Sequence, residues 1–515
     1  MDFNSILKPA PPTDGEREIL YLSYGELGSY NLVKRDGDPV RDRIFELHIE
    51  RHAAGIKSTG SKVTDSRIAH KTGKQDLRAS QPNLPKTGTL PATLRALRHR
   101  NFQLFFSGQL ISLIGTWMQS VAQSWLVYRL TGSSLLLGSV GFAGQIPVFL
   151  VAPLGGIVAD RQNRHRVVIA TQVASMLLAF ALAALTLTGT VKVWHIFVLA
   201  AQLGVVNAFD VPARQSFLVD MVGKEDLMNA IALNSSMFNG ARIIGPAIAG
   251  ILVAKIGEGW CFFANAVSYI AVIAGLLMMT VQPRPRAASG SPLKHLVEGF
   301  RFARHTAPIR AILLLLGLVS LVAMPYTVLM PVFADQILHG GARGLGILMG
   351  ATGVGALLGA LTLATRTGVQ GLGRWVAFSC GGFGLFLILF SWSRYFWLSA
   401  AMLLPVGFTM MLQMSSSNTL IQAMVPDHLR GRVMALYTMM FMGMAPFGSL
   451  FAGAMADRVG APVTVTIGAV ACIGGAILFG IHLPRVRVEA RRLIVAQTLG
   501  AGEPAVEITA SLHEG

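Results

Sequence analysis

Asp210, Arg214 and Arg242 are charged residues set inside long apolar runs. In hydrocarbon each costs roughly 2.5–3.5 kcal/mol or more at mid-depth, so such residues face an interior and take partners. A carboxylate beside a guanidinium can exchange a proton, because the adjacent cation favours the ionised form and burial favours the neutral one. Asp210 therefore reads as a group that binds a coupling proton or a cationic moiety, with Arg242 or Arg214 setting its affinity. Arg242 lies at similar depth on the next antiparallel run, and Arg214 lies one turn from Asp210 across Pro212. A static structural pair is the competing reading, and the sequence leaves both open.

Other chemistry is absent from the pattern. There is no HExxH, Walker A or GxSxG, and the twelve histidines are dispersed. The three cysteines, Cys261, Cys380 and Cys472, match no metal spacing and read as small buried hydrophobes. No enzyme, metal or cofactor is expected.

The elements that must hold these charges are membrane spans. The chain of 515 residues is 52% hydrophobic and 13% charged, with a mean hydropathy of +0.54. A soluble domain carries about 25% charged residues and could not hide so much apolar surface. The net charge of +17 sits in short clusters between apolar runs, which argues against nucleic acid. Runs of about 20 apolar residues cross a bilayer. They occur near 102–128, 134–158, 167–188, 195–219, 229–254, 260–280, 311–334, 344–364, 375–392, 396–423, 433–456 and 462–482. The fold expected is all-α, with twelve transmembrane helices in two six-helix bundles, 96–280 and 311–483.

Basic residues mark one face. Arg161, Arg164, Arg166, Arg284, Arg286, Arg301, Arg304, Arg430 and Arg432 lie there, with Arg95, Arg98 and Arg100 before the first run and Arg485 and Arg487 after the last. The other face has only Arg129, Lys192, Lys255, Arg343, Arg394 and Arg458. Both termini, including the tail from 484, are thus expected in the cytoplasm. The connection 281–310 carries Leu293, Leu296, Val297 and Phe300 at helical spacing, which suits an amphipathic interfacial helix. Residues 1–95 are polar and read as a largely disordered extension. A start near 84–94 is the alternative reading of that segment.

The bundles repeat one another. Residues 213–257 align without a gap on 416–460, and the pairs Gly240/Gly443, Gly245/Gly448, Gly250/Gly453 and Gly257/Gly460 fall in register. Parallel six-helix repeats are a transporter architecture.

Two motifs carry a family resemblance. Gly155-Gly156-Ile157-Val158-Ala159-Asp160-Arg161-Gln162-Asn163-Arg164-His165-Arg166 follows the second run, and Gly240-Ala241-Arg242-Ile243-Ile244-Gly245-Pro246-Ala247-Ile248-Ala249-Gly250 lies in the fifth. Over about 95–485 these resemble the major facilitator superfamily: the first its loop 2–3 signature, the second its helix 5 signature for proton-driven exporters. Asn163 stands where glycine is usual, and the second motif lacks a closing glycine pair. Asn207-Ala208-Phe209-Asp210-Val211-Pro212-Ala213-Arg214-Gln215 and Leu429-Arg430-Gly431-Arg432 resemble the branch of enterobactin-type siderophore exporters and macrolide efflux pumps. That resemblance implies proton-driven efflux without identifying the cargo.

The loop motif reads as a gating latch. Gly156 admits a neighbouring helix, Asp160 caps the second helix, Arg161 adds to the basic cluster, and Arg164 bridges Asp160 to Asp220. A solvated topology signal is the alternative. Within the signature Gly240, Gly245, Pro246 and Gly250 of the fifth helix, Ala241, Gly245 and Ala249 at i, i+4 and i+8 give a small-residue packing face, and Pro246 a bend. Gln119, Gln123, Tyr326, Gln413, Ser417 and Asn418 are candidate cavity residues, with interhelical hydrogen bonding as the alternative for each. Met410, Met411, Met414, Met439, Met440 and Met442 would make the cavity apolar and adaptable, suiting a bulky amphipathic molecule.

The expected function is secondary active transport, with proton-coupled efflux of a siderophore, macrolide or other drug by alternating access. Uptake by the same fold, or a non-transporting membrane receptor, are the rivals. Expected partners are the small-molecule substrate, protons and the bilayer, for a multi-pass monomer in the cell inner membrane.

Overall fold

The computed structural model describes residues 19–22, 30–33, 92–223, 225–280, 292–366 and 368–500. The first half contributes α1 (Arg100–Thr131), α2 (Ser134–Arg161), α3 (Arg164–Leu187), α4 (Val193–Val222), α5 (Leu227–Ile256) and α6 (Glu258–Leu277). A linker helix, Pro292–His305, precedes the second half. There follow α7 (Ala307–Ile337), α8 (Gly341–Ala364), α9 (Leu372–Trp392) and α10 (Phe396–Met424). The last spans are α11, in the pieces Asp427–Met442 and Ala445–Val459, and α12 (Ala461–Gly500). By length and composition α2 to α12 are eleven spans able to cross a membrane. Helix α1 is less apolar because Gln109, Ser112 and Gln119 are buried in the bundle rather than exposed to lipid. At 32 residues and packed along α5 and α6, it is the twelfth.

In the polar N-terminal segment, Ile19–Leu22 pairs antiparallel with Tyr30–Val33. Otherwise the expected disorder of 1–95 falls outside the described residues up to Ala92, where a 3-10 turn (Ala92–Arg98) begins. That turn is tied to the start of α5. Asn229 Oδ1 accepts from Ala96 N at 2.8 Å, and Asp226, 2% exposed, meets His99 at 2.8 Å and Arg98 at 2.7 Å. The hydrogen bond from His99, with the charges of Arg98 and Arg95, holds the Asp226 carboxyl below its ordinary range.

Local sequence explains the tight corners. Gly132, in the left-handed region at φ 62°, closes α1, and Ser133 then caps α2 by accepting from Leu136 N. Asn163, the departure from the loop signature, caps α3 by accepting from His165 N and Arg166 N.

The glycine repeat is expressed in three dimensions. Gly245 packs against α1 at Trp117, and its counterpart Gly448 packs against α7 at Leu321. Gly250 packs on Gly346 of α8, and Gly453 on Ser134 and Gly138 of α2. Gly257 and Gly460 hold the same positive φ, 87° and 84°. Equivalent helices thus make equivalent contacts in two pseudo-twofold-related bundles. Gly240 is the exception, with nothing within 4 Å of an added Cβ, whereas Gly443 meets Phe149 at the break in α11.

Helix α7 is not the continuous span that 311–334 suggested. It passes through π turns at Val319–Ala323 and Phe333–Ile337 and a 3-10 turn at Met324–Thr327. Pro325 and Pro331 each lack the N–H that a helical ladder needs, so the backbone regroups around them.

The halves meet where α2 crosses α11 and where α5 crosses α8. Both crossings are tight toward the face opposite the termini, here called the distal face. A Cβ on Gly138 would lie 2.3 Å from Ser449 O, and one on Gly346 2.6 Å from Pro246 O. Across the same seam Asp457 Oδ1 accepts from Ser134 N at 2.7 Å, and Oδ2 from Ser133 Oγ at 3.0 Å. Among the described residues, the contacts between the halves beyond mid-depth include Gly443 against Phe149. The distal parts of the first half share one apolar core with the second half, while Phe102, Phe105, Ala159, Phe217 and Met221 belong to a separate core near the basic face. Among the described residues, the apolar core that the two halves share thus lies on the distal side.

Candidate transport cavity

Between the halves lies a cavity of about 470 Å³, walled by α1, α2, α4, α5 and α6 on one side and α7 and α8 on the other. Gln119, Gln123 and Tyr326 line it. Gln119 Oε1 accepts from Asn265 Nδ2 at 2.6 Å, which fixes both amides. The Tyr326 hydroxyl is buried beside Thr352. Trp117, Gln145, Asn207, Arg242, Asn265, Tyr269 and Thr352 also line the wall. Of these, the sequence reading singled out only Arg242, and for a different role. The signal for the others was present: polar or aromatic side chains at the depth of Arg242 in otherwise aliphatic helices.

Gln413, Ser417 and Asn418 do not line the cavity. Gln413 and Ser417, 1% and 0% exposed, are packed within the second half, and Asn418 bonds Gln422 on its own helix. Spacing of four residues puts Gln413 and Ser417 on one face, but α10 turns that face into its own half. The methionines are corrected similarly. Met324, Met330 and Met349 line the cavity. Met410 alone of the expected six reaches its margin, where its sulfur lies 3.9 Å from Arg242.

Asp210 is paired with Arg214, not Arg242. The Arg214 Nε lies 3.2 Å from Oδ2, while Thr171 Oγ1 and Gln172 Nε2 donate to Oδ1 at 2.8 and 2.9 Å. These partners place the carboxylate, 4% exposed, between α3 and α4 and away from the cavity wall. The i,i+4 spacing across Pro212 lets Arg214 reach it within one helix. Gln172 Oε1 is buried and unbonded beside it.

Arg242 faces the cavity. Its guanidinium lies 5.7 Å from the Trp117 ring centroid, and no carboxylate among the described residues is within ion-pair distance. Gly245 fixes this geometry, because its lack of a Cβ lets α5 approach the backbone of α1 at Trp117. Pro246 lines the cavity one residue on.

At the basic face Arg164 Nη1 reaches Asp220 Oδ2 at 3.3 Å and Ser216 O at 3.2 Å. The pair joins α3 to α4 inside one half, so by itself it is not a clasp between halves. The Asp160 side chain lies outside the described residues, and Arg161 is exposed. The close-packed glycine of the motif is Gly155, whose added Cβ would meet Ala208 O at 1.9 Å. Gly156 meets nothing.

A twelve-span bundle of two pseudo-twofold halves around a mid-membrane cavity defines a secondary transporter rather than an enzyme. The chain belongs to the transmembrane secretion effector family of the major facilitator superfamily, whose family model matches residues 91–509. It is 28% identical over 367 residues to the staphyloferrin A transporter of Staphylococcus aureus (strain NCTC 8325 / PS 47), covering 70% of this chain and 91% of that protein. It is also 28% identical over 395 residues to the enterobactin exporter EntS of Shigella boydii serotype 4 (strain Sb227), covering 76% and 93%. Among solved structures the nucleoside transporter NupG has a TM-score of 0.58 at 15% identity, over 75% of this chain and 98% of that one. A bacterial homologue of the iron transporter ferroportin, in its inward-facing state, has a TM-score of 0.56 at 15% identity, over 75% and 98%.

Proposed function

We propose that this protein is a proton-coupled exporter of a bulky amphipathic small molecule, siderophore-like or drug-like, working by alternating access. The observation that carries the reading is the cavity on the seam between the halves, with the tight crossings of Gly138 and Gly346 on its distal side. With the termini in the cytoplasm, as the basic loops favour, this is the state that loads cargo from inside the cell. Both relatives named above are siderophore transporters, and one is called an exporter.

Asp210 is the proposed proton site. Arg214 and Gln172 donate to it, and the single Thr171 hydroxyl proton is shared between Asp210 Oδ1 and Val168 O. A protonated Asp210 needs an acceptor, which the Thr171 oxygen offers when its own proton goes to Val168 O, and rotation of the Gln172 amide presents Oε1 as another. Proton binding thus changes the bonding between α3 and α4, and rocking of the halves follows from that change.

Everted membrane vesicles test this directly. Energised vesicles accumulate the cargo from a panel of siderophores, macrolides and cationic dyes, and an uncoupler abolishes the accumulation. Uptake of a panel member by right-side-out vesicles, with none in everted ones, refutes export.

A further inference from the structure

Among the described residues, Arg242 is the one charged residue on the wall of the cavity, and no Asp or Glu lines it. A guanidinium cannot shed its charge in a protein, so its positive field is a permanent property of the chamber. Its contacts do not neutralise that charge. The Trp117 face at 5.7 Å and the Met410 sulfur at 3.9 Å are soft, uncharged neighbours. On the opposite half Tyr326 lines the same cavity, its hydroxyl buried beside Thr352. The carboxylate that could have balanced Arg242, Asp210, is taken up by Arg214, Thr171 and Gln172 behind the wall. One fixed positive charge therefore faces a chamber otherwise lined by uncharged side chains: amides, hydroxyls, aromatics, methionines and aliphatics.

We propose that the cavity recognises an anionic oxygen group, a carboxylate or ionised phenol, on an amphipathic molecule. The anion sits on Arg242, and the apolar body lies against Trp117 and Met349. Binding then bridges α5 and α8 across the seam, so cargo contacts both halves. Cations are disfavoured by the same field. This specificity rests on the transport reading for the role of the cavity, but not on the direction of transport.

The test uses three matched probes: 2-naphthoate, 2-naphthamide and 2-naphthylmethylammonium. Each is titrated calorimetrically into the full-length chain in lipid nanodiscs, with empty nanodiscs subtracted. Naphthoate is expected to bind tighter than the amide by roughly tenfold or more, the scale of a charge-assisted hydrogen bond, and the ammonium weakest. R242Q removes the difference between naphthoate and naphthamide, and R242K keeps part of it. Equal binding of anion and amide by the wild type, preference for the ammonium, no binding of any probe, or an unchanged anion preference in R242Q each overturns the proposal. Should R242Q not fold, the wild-type order of affinities decides. Everted vesicles separate the two readings. Energised accumulation of the amide or ammonium without anion preference leaves export standing and removes this site. Anion-selective binding in nanodiscs with no energised accumulation leaves the site and removes export.

Discussion

Removing the Asp457 carboxylate opens the distal face. It accepts from Ser134 N at 2.7 Å and Ser133 Oγ at 3.0 Å, at the N-terminus of α2, across the seam between the halves. A hydrogen bond to a charged group contributes about 1.5–3 kcal/mol when shielded, and placement at a helix N-terminus adds about 0.3–1 kcal/mol. Asp457 is exposed, and solvent screening reduces the sum to about 1–2 kcal/mol. At about 1.4 kcal/mol per decade, Asp457→Ala shifts the ratio of distally closed to distally open molecules about five- to thirtyfold. Asp457→Asn, which keeps one acceptor oxygen, shifts it less. Spin labels at Lys192→Cys and Arg394→Cys, exposed positions on the distal loops of opposite halves, read the ratio as a pulsed electron resonance distance distribution. The native cysteines are buried and stay unlabelled. A distribution that does not lengthen in Asp457→Ala, with the protein folded, refutes the reasoning.

Three further outcomes are expected. Asp210→Asn abolishes gradient-driven accumulation in proteoliposomes but leaves downhill exchange; loss of both together with poor expression, rescued by neutralising Arg214, identifies a static pair instead. Gly155→Leu prevents folding because its side chain has nowhere to go past Ala208 O at 1.9 Å, whereas Gly156→Ala folds with wild-type retention in size-exclusion chromatography. Asp226 has its carboxyl pKa lowered by folding, so its stabilising contribution is present above about pH 4 and is lost as the pH falls through the native value. Melting in detergent should therefore show Asp226→Asn less stable than wild type at pH 7, with the gap narrowing in acid below pH 4.

Spans and repeat were legible because both are local or periodic. A run of twenty apolar residues reports itself, and glycines at a fixed offset of 203 report the contacts they serve. Direction was not legible. Gln413 and Ser417 share a face, yet only packing against α8 and α9 decides that the face points inward to its own half. The same ignorance separated Gly155 from Gly156 and left Asp457 unnoticed. The run 311–334 likewise gave no sign of where the backbone regroups around Pro325 and Pro331, which depends on neighbours in space. For Asp210 the spacing offered two arginines, and the shorter reach, within one helix, prevailed.

The central claim is that cargo leaves in exchange for protons. It is tested most directly in proteoliposomes that enclose a pH-sensitive dye and receive a pulse of the cargo identified in everted vesicles. The account predicts proton movement opposite to the cargo in the wild type and none in Asp210→Asn. Proton movement in the same direction as the cargo, or cargo movement without any pH change, contradicts it.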